Sequence, residues 1–144
     1  MIENQLRETP TKAAVLDVGC GPGTILRSSV ARAAQVLVGY DISEVSAQAA
    51  SSAGLTVMSR EQLLAGPARF DVALSAYTMH YACDLAETLK GVQCNIKPGG
   101  VWALNFHKGI GLGAFLACLE SSELELVGQV SHSSFGPIVA VKMG

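Results

Sequence analysis

Short apolar runs rich in β-branched residues alternate along this chain with stretches of helical spacing, and that rhythm leaves few folds open. The runs AAVLDV (13–18) and AQVLVGYD (34–41) are each followed by such a stretch, Ile25 to Ala34 and Val45 to Ala53. The pattern continues through LTVM (55–58), then FDVALSA (70–76) and a helix from about Asp84 to Ile96. A turn at Lys97-Pro98-Gly99-Gly100 leads to the strand VWALNF (101–106). A last helix around Ala114 to Ser121 precedes two strand-like runs, Leu124 to Val130 and Pro137 to Met143, with only polar residues and Gly136 between them.

Short strands that are apolar almost throughout and are separated by helices predict a parallel sheet covered on both faces. The two terminal runs have no helix between them and predict an antiparallel hairpin. The expected architecture is therefore an α/β, doubly wound fold with a mostly parallel seven-stranded sheet and a reversed edge strand. The 144 residues have the size of one domain, expected to span 1–144.

Hydrophobic residues make up 49% and charged residues 15%, which excludes a disordered chain. No apolar run reaches the roughly 18 to 20 residues of a bilayer span, and MIENQLRETPTK lacks the apolar stretch of a secretory signal. A cytoplasmic location is expected. The net charge of -2, without any run of lysines and arginines, disfavours nucleic acid. The four cysteines, Cys20, Cys83, Cys94 and Cys118, form no C-x-x-C pair, so neither a metal site nor a disulfide is expected and they read as small apolar fillers.

The first strand runs into a glycine-rich bend, VLDVGCGPGT (15–24). Gly19, Gly21 and Gly23 can take positive φ and leave no side chain between backbone and ligand. A bare strand-to-helix turn is the simpler reading, although such a turn has little need of three glycines. A dinucleotide fingerprint, G-x-G-x-x-G, holds a pyrophosphate on backbone N–H groups. Here the third glycine falls one place early, Thr24 fills its slot and Pro22 removes one donor. Asp17 stands two residues before the bend, where a carboxylate repels pyrophosphate and attracts a cation. The second strand ends at Asp41, which is suited either to hold both ribose hydroxyls or to cap the following helix, a place Ser43 could equally fill. Together these features suit a nucleoside without phosphates that carries a cation.

VLDVGCGPGT, VGYDIS, FDVALSAYTMHY and IKPGGVWAL resemble, in order, the motifs of class I S-adenosylmethionine-dependent methyltransferases, and they extend over nearly the whole chain. The resemblance implies S-adenosylmethionine as cofactor. It places Asp17 near the methionine amino group, Gly19, Cys20, Gly21 and Gly23 under the cofactor, Asp41 on the ribose and Ile42 against the adenine. Many members have an Asp after the third strand for the adenine amino group. Here that position falls on Ser59, with the backbone around Arg60 and Glu61 as the alternative.

Methyl transfer is an in-line displacement, so the protein mainly supplies alignment, and a base is needed only where the acceptor must lose a proton. Ser75 and Ala76 are expected beside the cofactor, with Tyr77 or Thr78 facing the acceptor. His80 is a candidate base, with the alternative that it and Tyr81 merely anchor the next helix. His107 is a second candidate, and His132 is given no role. No N-P-P-Y-like segment, Pro-Cys nucleophile or acidic magnesium cluster is present. The short passage from Phe106 to Ala114, and the dozen residues before the first strand, predict an open site that could borrow a lid from a protein partner. The expected activity is methyl transfer to an unidentified acceptor, a small molecule being favoured. The alternative is a non-catalytic S-adenosylmethionine-binding regulatory or partner subunit.

Overall fold

The structure is a computed structural model that describes residues 13–76, 84–131 and 133–144. Seven strands form one sheet: β1 Ala14–Val18, β2 Val36–Tyr40, β3 Thr56–Val57, β4 Phe70–Ser75, β5 Ile96–Asn105, β6 Leu124–Val130 and β7 Ile138–Met143. Among the described residues five α-helices accompany them: α1 Ser29–Ala33, α2 Glu44–Ser52, α3 Arg60–Ala65, α4 Leu85–Asn95 and α5 Leu112–Glu120. The strand order is β3-β2-β1-β4-β5-β7-β6. β1 to β5 are mutually parallel, and β7 runs antiparallel to both β5 and β6. The reversed strand thus belongs to the terminal hairpin at one side of the sheet, inserted beside β5, with β6 outermost.

Alternation along β1 explains the two-sided core. Leu16 and Val18 join the larger cluster, which includes Phe70, Trp102, Phe106 and Phe115. Ala13 and Val15 join the opposite cluster with Val30, Val72 and Leu74. Phe115 of α5 packs edge-on against Trp102 with ring centroids 5.5 Å apart.

Two expected elements differ in detail. The stretch from Ile25 to Ala34 is not one helix: a 3-10 turn over Thr24–Arg27 stops at Ser28, whose backbone is extended, and α1 begins after it. The Ser28 hydroxyl donates to the Ile25 carbonyl at 2.6 Å, the very group that an unbroken helix would offer to Ser29. The Lys97–Gly100 turn lies within β5, where pairing with β4 jumps from Phe70↔Ile96 to Val72↔Val101, so the turn is a large bulge.

Chain direction puts the carboxyl ends of β1 to β5 on one rim. The order of the sheet reverses between β1 and β4, the place where open α/β sheets bind ligands.

Candidate cofactor site

The bend after β1 is built from three left-handed glycines, with φ of 87° at Gly19, 54° at Gly21 and 89° at Gly23. A side chain at Gly23 would also lie 3.3 Å from the Ala50 backbone on α2. Residues other than glycine rarely adopt such angles, so the bend has the shape it does because of its composition. It is tied to the end of β2 by three bonds. The Gly19 and Cys20 N–H groups donate to the Tyr40 carbonyl at 2.7 and 3.0 Å, and the Gly21 N–H donates to the Asp41 carboxylate at 2.8 Å.

The second oxygen of Asp41 accepts the Ser43 N–H at 2.9 Å, while Ser43 itself caps α2. Asp41 is therefore not the cap. It is half-exposed, held in place by two backbone donors, with lone pairs left for a ligand.

Asp17 differs in every respect. It is buried, and its carboxyl has no hydrogen-bond partner among the described residues. Its register neighbours are Gly39 on β2, which has no side chain, and Leu74 on β4. Burial, reinforced by the Asp41 charge, pushes it up to about 7. Two acids thus share one corner of the rim, one held by two backbone N–H groups and the other buried and suited to a cation or a proton.

Cys20 turns its side chain into the cluster of Ala50 and Leu55 beneath the bend, so only its main chain borders the rim. Burial and the two aspartates push its thiol up to about 12. Ile42 is 62% exposed immediately after Asp41. Ser59 caps α3: its hydroxyl accepts the Gln62 N–H at 3.1 Å and the Gln62 side chain accepts the Ser59 N–H at 2.8 Å. Arg60 donates to the Glu87 carboxylate, linking α3 to α4 and holding Glu87 below the usual carboxylate range. No hydrogen bond joins Ser59 or Arg60 to the bend. Ser75 is fully buried; its hydroxyl donates to the Val18 carbonyl at 2.8 Å and accepts the Trp102 indole N–H at 3.0 Å. Ala76 is exposed at the end of β4, and His107 is exposed in a short 3-10 turn after β5. Tyr77, Thr78, His80, Tyr81, Cys83 and His132 lie outside the described residues.

Three supports were not singled out in the sequence. A side chain at Gly39 would meet Leu55 at 2.6 Å and the Cys20 sulfur at 2.9 Å, so that glycine admits the bend. Its signal is a glycine inside an apolar strand. The Tyr40 carbonyl has no sequence signal at all. Trp102 steadies Ser75 at the end of β4, a pairing visible only once β4 and β5 are neighbours. Among the described residues no group of His, Cys, Asp and Glu side chains could hold a metal ion, and no helix is long and apolar enough to cross a membrane.

A parallel sheet with one reversed strand, and a glycine bend facing a strand-end acid at its switch point, define a Rossmann-like α/β domain. A family model described as a methyltransferase domain matches residues 2–107, so the chain belongs to that family, within the class I S-adenosylmethionine-dependent methyltransferases. Among solved structures, a TehB-like S-adenosylmethionine-dependent methyltransferase from Corynebacterium glutamicum is 22% identical, with a TM-score of 0.74 over 98% of this chain and 86% of that one. A methyltransferase from Aquifex aeolicus is 19% identical, with a TM-score of 0.77 over 99% and 89%. The Haloferax volcanii complex of the Trm112 methyltransferase activator with a methyltransferase is 18% identical, with a TM-score of 0.73 over 99% and 88%. At these identities the likeness is one of fold. No curated protein sequence matches the chain.

Proposed function

We propose that this protein binds S-adenosylmethionine across the Gly19–Gly23 bend and transfers its methyl group to a small-molecule acceptor. The observation that carries the reading is the unequal acid pair: a buried Asp17 carboxyl with no hydrogen-bond partner among the described residues, beside an Asp41 carboxylate fixed by two backbone N–H groups. The residues present fit this cofactor. The three left-handed glycines leave a cradle free of side chains, Asp17 suits an ammonium group, and the free lone pairs of Asp41 suit a ribose diol. A pyrophosphate would meet two carboxylates at that corner.

When bound, the cofactor supplies an activated methyl group and its own leaving group. The protein's part is to orient. Gly19, Cys20, Gly21 and Gly23 lie under the nucleoside, Ile42 packs on the adenine, and Ser59 and Arg60 border its amino edge. Ser75 keeps the end of β4 in register with β1, so that Ala76 meets the cofactor. Tyr77 and His80 are assigned to the acceptor side, His80 as the base where a proton must leave.

Calorimetric titration with S-adenosylhomocysteine and with NAD tests the cofactor: the first binds and the second does not. Transfer of labelled methyl groups from the cofactor to components of a cell extract then tests turnover, and His80→Gln separates a base, whose loss removes activity at unchanged cofactor affinity, from an anchor. A second reading, a cofactor-binding subunit that works through a protein partner, draws support from the likeness to the methyltransferase bound by Trm112. Steady turnover by the purified chain alone would eliminate it.

A further inference from the structure

The half of the rim away from the acid pair has the opposite chemical character. Because β7 is antiparallel to both neighbours, β6 runs parallel to β5, and the turn between β6 and β7 emerges on the same rim as the turn after β5. The two turns are packed into one body. The Phe106 N–H donates to the Pro137 carbonyl at 2.9 Å, and the buried Asn105 amide donates to the Phe135 carbonyl at 2.9 Å. Gly136 has φ 81°, and a side chain there would sit 2.3 Å from the Phe106 oxygen and 3.2 Å from the Lys108 nitrogen. Only glycine lets the turns lie so close.

This body presents Ile110, 53% exposed, and Phe135, 50% exposed. Lys108, exposed and with its backbone against Gly136, is the one non-glycine residue with positive φ, 53°, among the described residues. A non-glycine residue in this left-handed region is uncommon. Lys108 makes no ion pair with a described residue. Residues 105–111 and 130–137 contain that lysine and no Asp or Glu. The remainder of the rim carries Asp17, Asp41, Glu44, Glu61, Asp84 and Glu87, against two cations, Arg27 after the bend and Arg60, which is committed to Glu87. A negatively charged molecule is therefore repelled over β1 to β4 and tolerated at β5 to β6.

We propose that this composite rim is the acceptor end of the site and selects a small molecule with an apolar body and an anionic group. The body lies on Phe135 and Ile110, and the anion is held at Lys108. The assignment of this pocket to an acceptor rests on the methyltransferase reading; the ligand chemistry rests on the rim itself.

Octanoate, octanol and octylamine, titrated into isotope-labelled protein saturated with S-adenosylhomocysteine and followed by backbone amide shifts, test the proposal. Octanoate is expected to shift residues 106–111 and 133–137 and to bind about threefold to fivefold tighter than octanol, the scale of one exposed ion pair. Octylamine is expected to bind more weakly than octanol. Lys108→Gln should abolish the advantage of octanoate over octanol, and Phe135→Ser should weaken all three, with both variants keeping the wild-type spectrum elsewhere. Equal binding of octanoate and octanol, shifts confined to other surfaces, or no binding of any of the three overturns the proposal. Failure of S-adenosylhomocysteine to shift Gly19–Gly23 refutes the cofactor reading instead, and the three ligands are then compared on the protein alone.

Discussion

At the scale of single residues, the two aspartates at the bend divide their labour by environment. Asp41 is held by two backbone donors, whereas Asp17 has burial and a like charge, which together favour a proton. With Asp17 as the proposed partner of the ammonium group, which needs the ionised form, binding of S-adenosylhomocysteine below about pH 7 is expected to release a proton. Affinity is expected to rise up to tenfold per pH unit on approaching pH 7 from below and to level off above it. Titrations in buffers of different ionisation heat count that proton, and Asp17→Asn should show neither proton release nor pH dependence, with weaker binding. The same group acts on stability with a definite sign. Its folded value near 7 lies above the ordinary 3.8, so the folded protein holds the proton more tightly than the unfolded chain. This contribution is complete below pH 3.8 and is lost as pH rises through 7. Asp17→Asn is therefore expected to be more stable than wild type at pH 8, by about 2 to 4 kcal/mol, with the gap closing toward pH 4 in urea denaturation. Asp41→Ala should weaken cofactor binding by ~1.5 to 3 kcal/mol, the scale of charge-assisted hydrogen bonds. The sequence made Asp17 legible as an acid next to a bend. Its protonation was not legible, because that depends on a neighbour brought from another strand.

Individual elements show where spacing succeeds and where it fails. The alternation of strands and helices located every strand, since the apolar runs are bounded by glycine, proline or polar clusters. The stretch from Ile25 to Ala34 misleads because a serine hydroxyl competes for the carbonyl that would continue the helix. Ser75 reads as a residue of the ligand rim, yet its hydroxyl is spent joining β1, β4 and β5. Ser75→Ala leaves the Trp102 indole N–H and the Val18 carbonyl without this partner, and thermal unfolding should show a loss of about 1 to 3 kcal/mol. Gly39→Ala forces a methyl group against Leu55 and Cys20. Overpacking of this kind costs about 1 to 3 kcal/mol, and because the strain falls directly under the bend, cofactor affinity should drop together with the melting temperature.

For the whole molecule, the parallel arrangement of β1 to β5 brings the bend, Asp41, Ala76 and Lys108 to one rim although they are scattered over most of the chain. The hairpin was legible, but its insertion with β7 beside β5 was not, because short apolar strands carry no label for their neighbours. A ligand that binds only the folded form must stabilise this entire sheet. At a hundredfold excess over its dissociation constant, S-adenosylhomocysteine is expected to add about 2.7 kcal/mol and raise the melting temperature by a few degrees, while NAD leaves it unchanged. Every described residue with a proposed role sits at the carboxyl ends of the strands, and the Lys97–Gly100 bulge projects from the opposite end, where Lys97, Pro98 and Gly99 are exposed. That corner is a natural handle: a tether or dye attached there would anchor the protein with its working end facing the bulk solution.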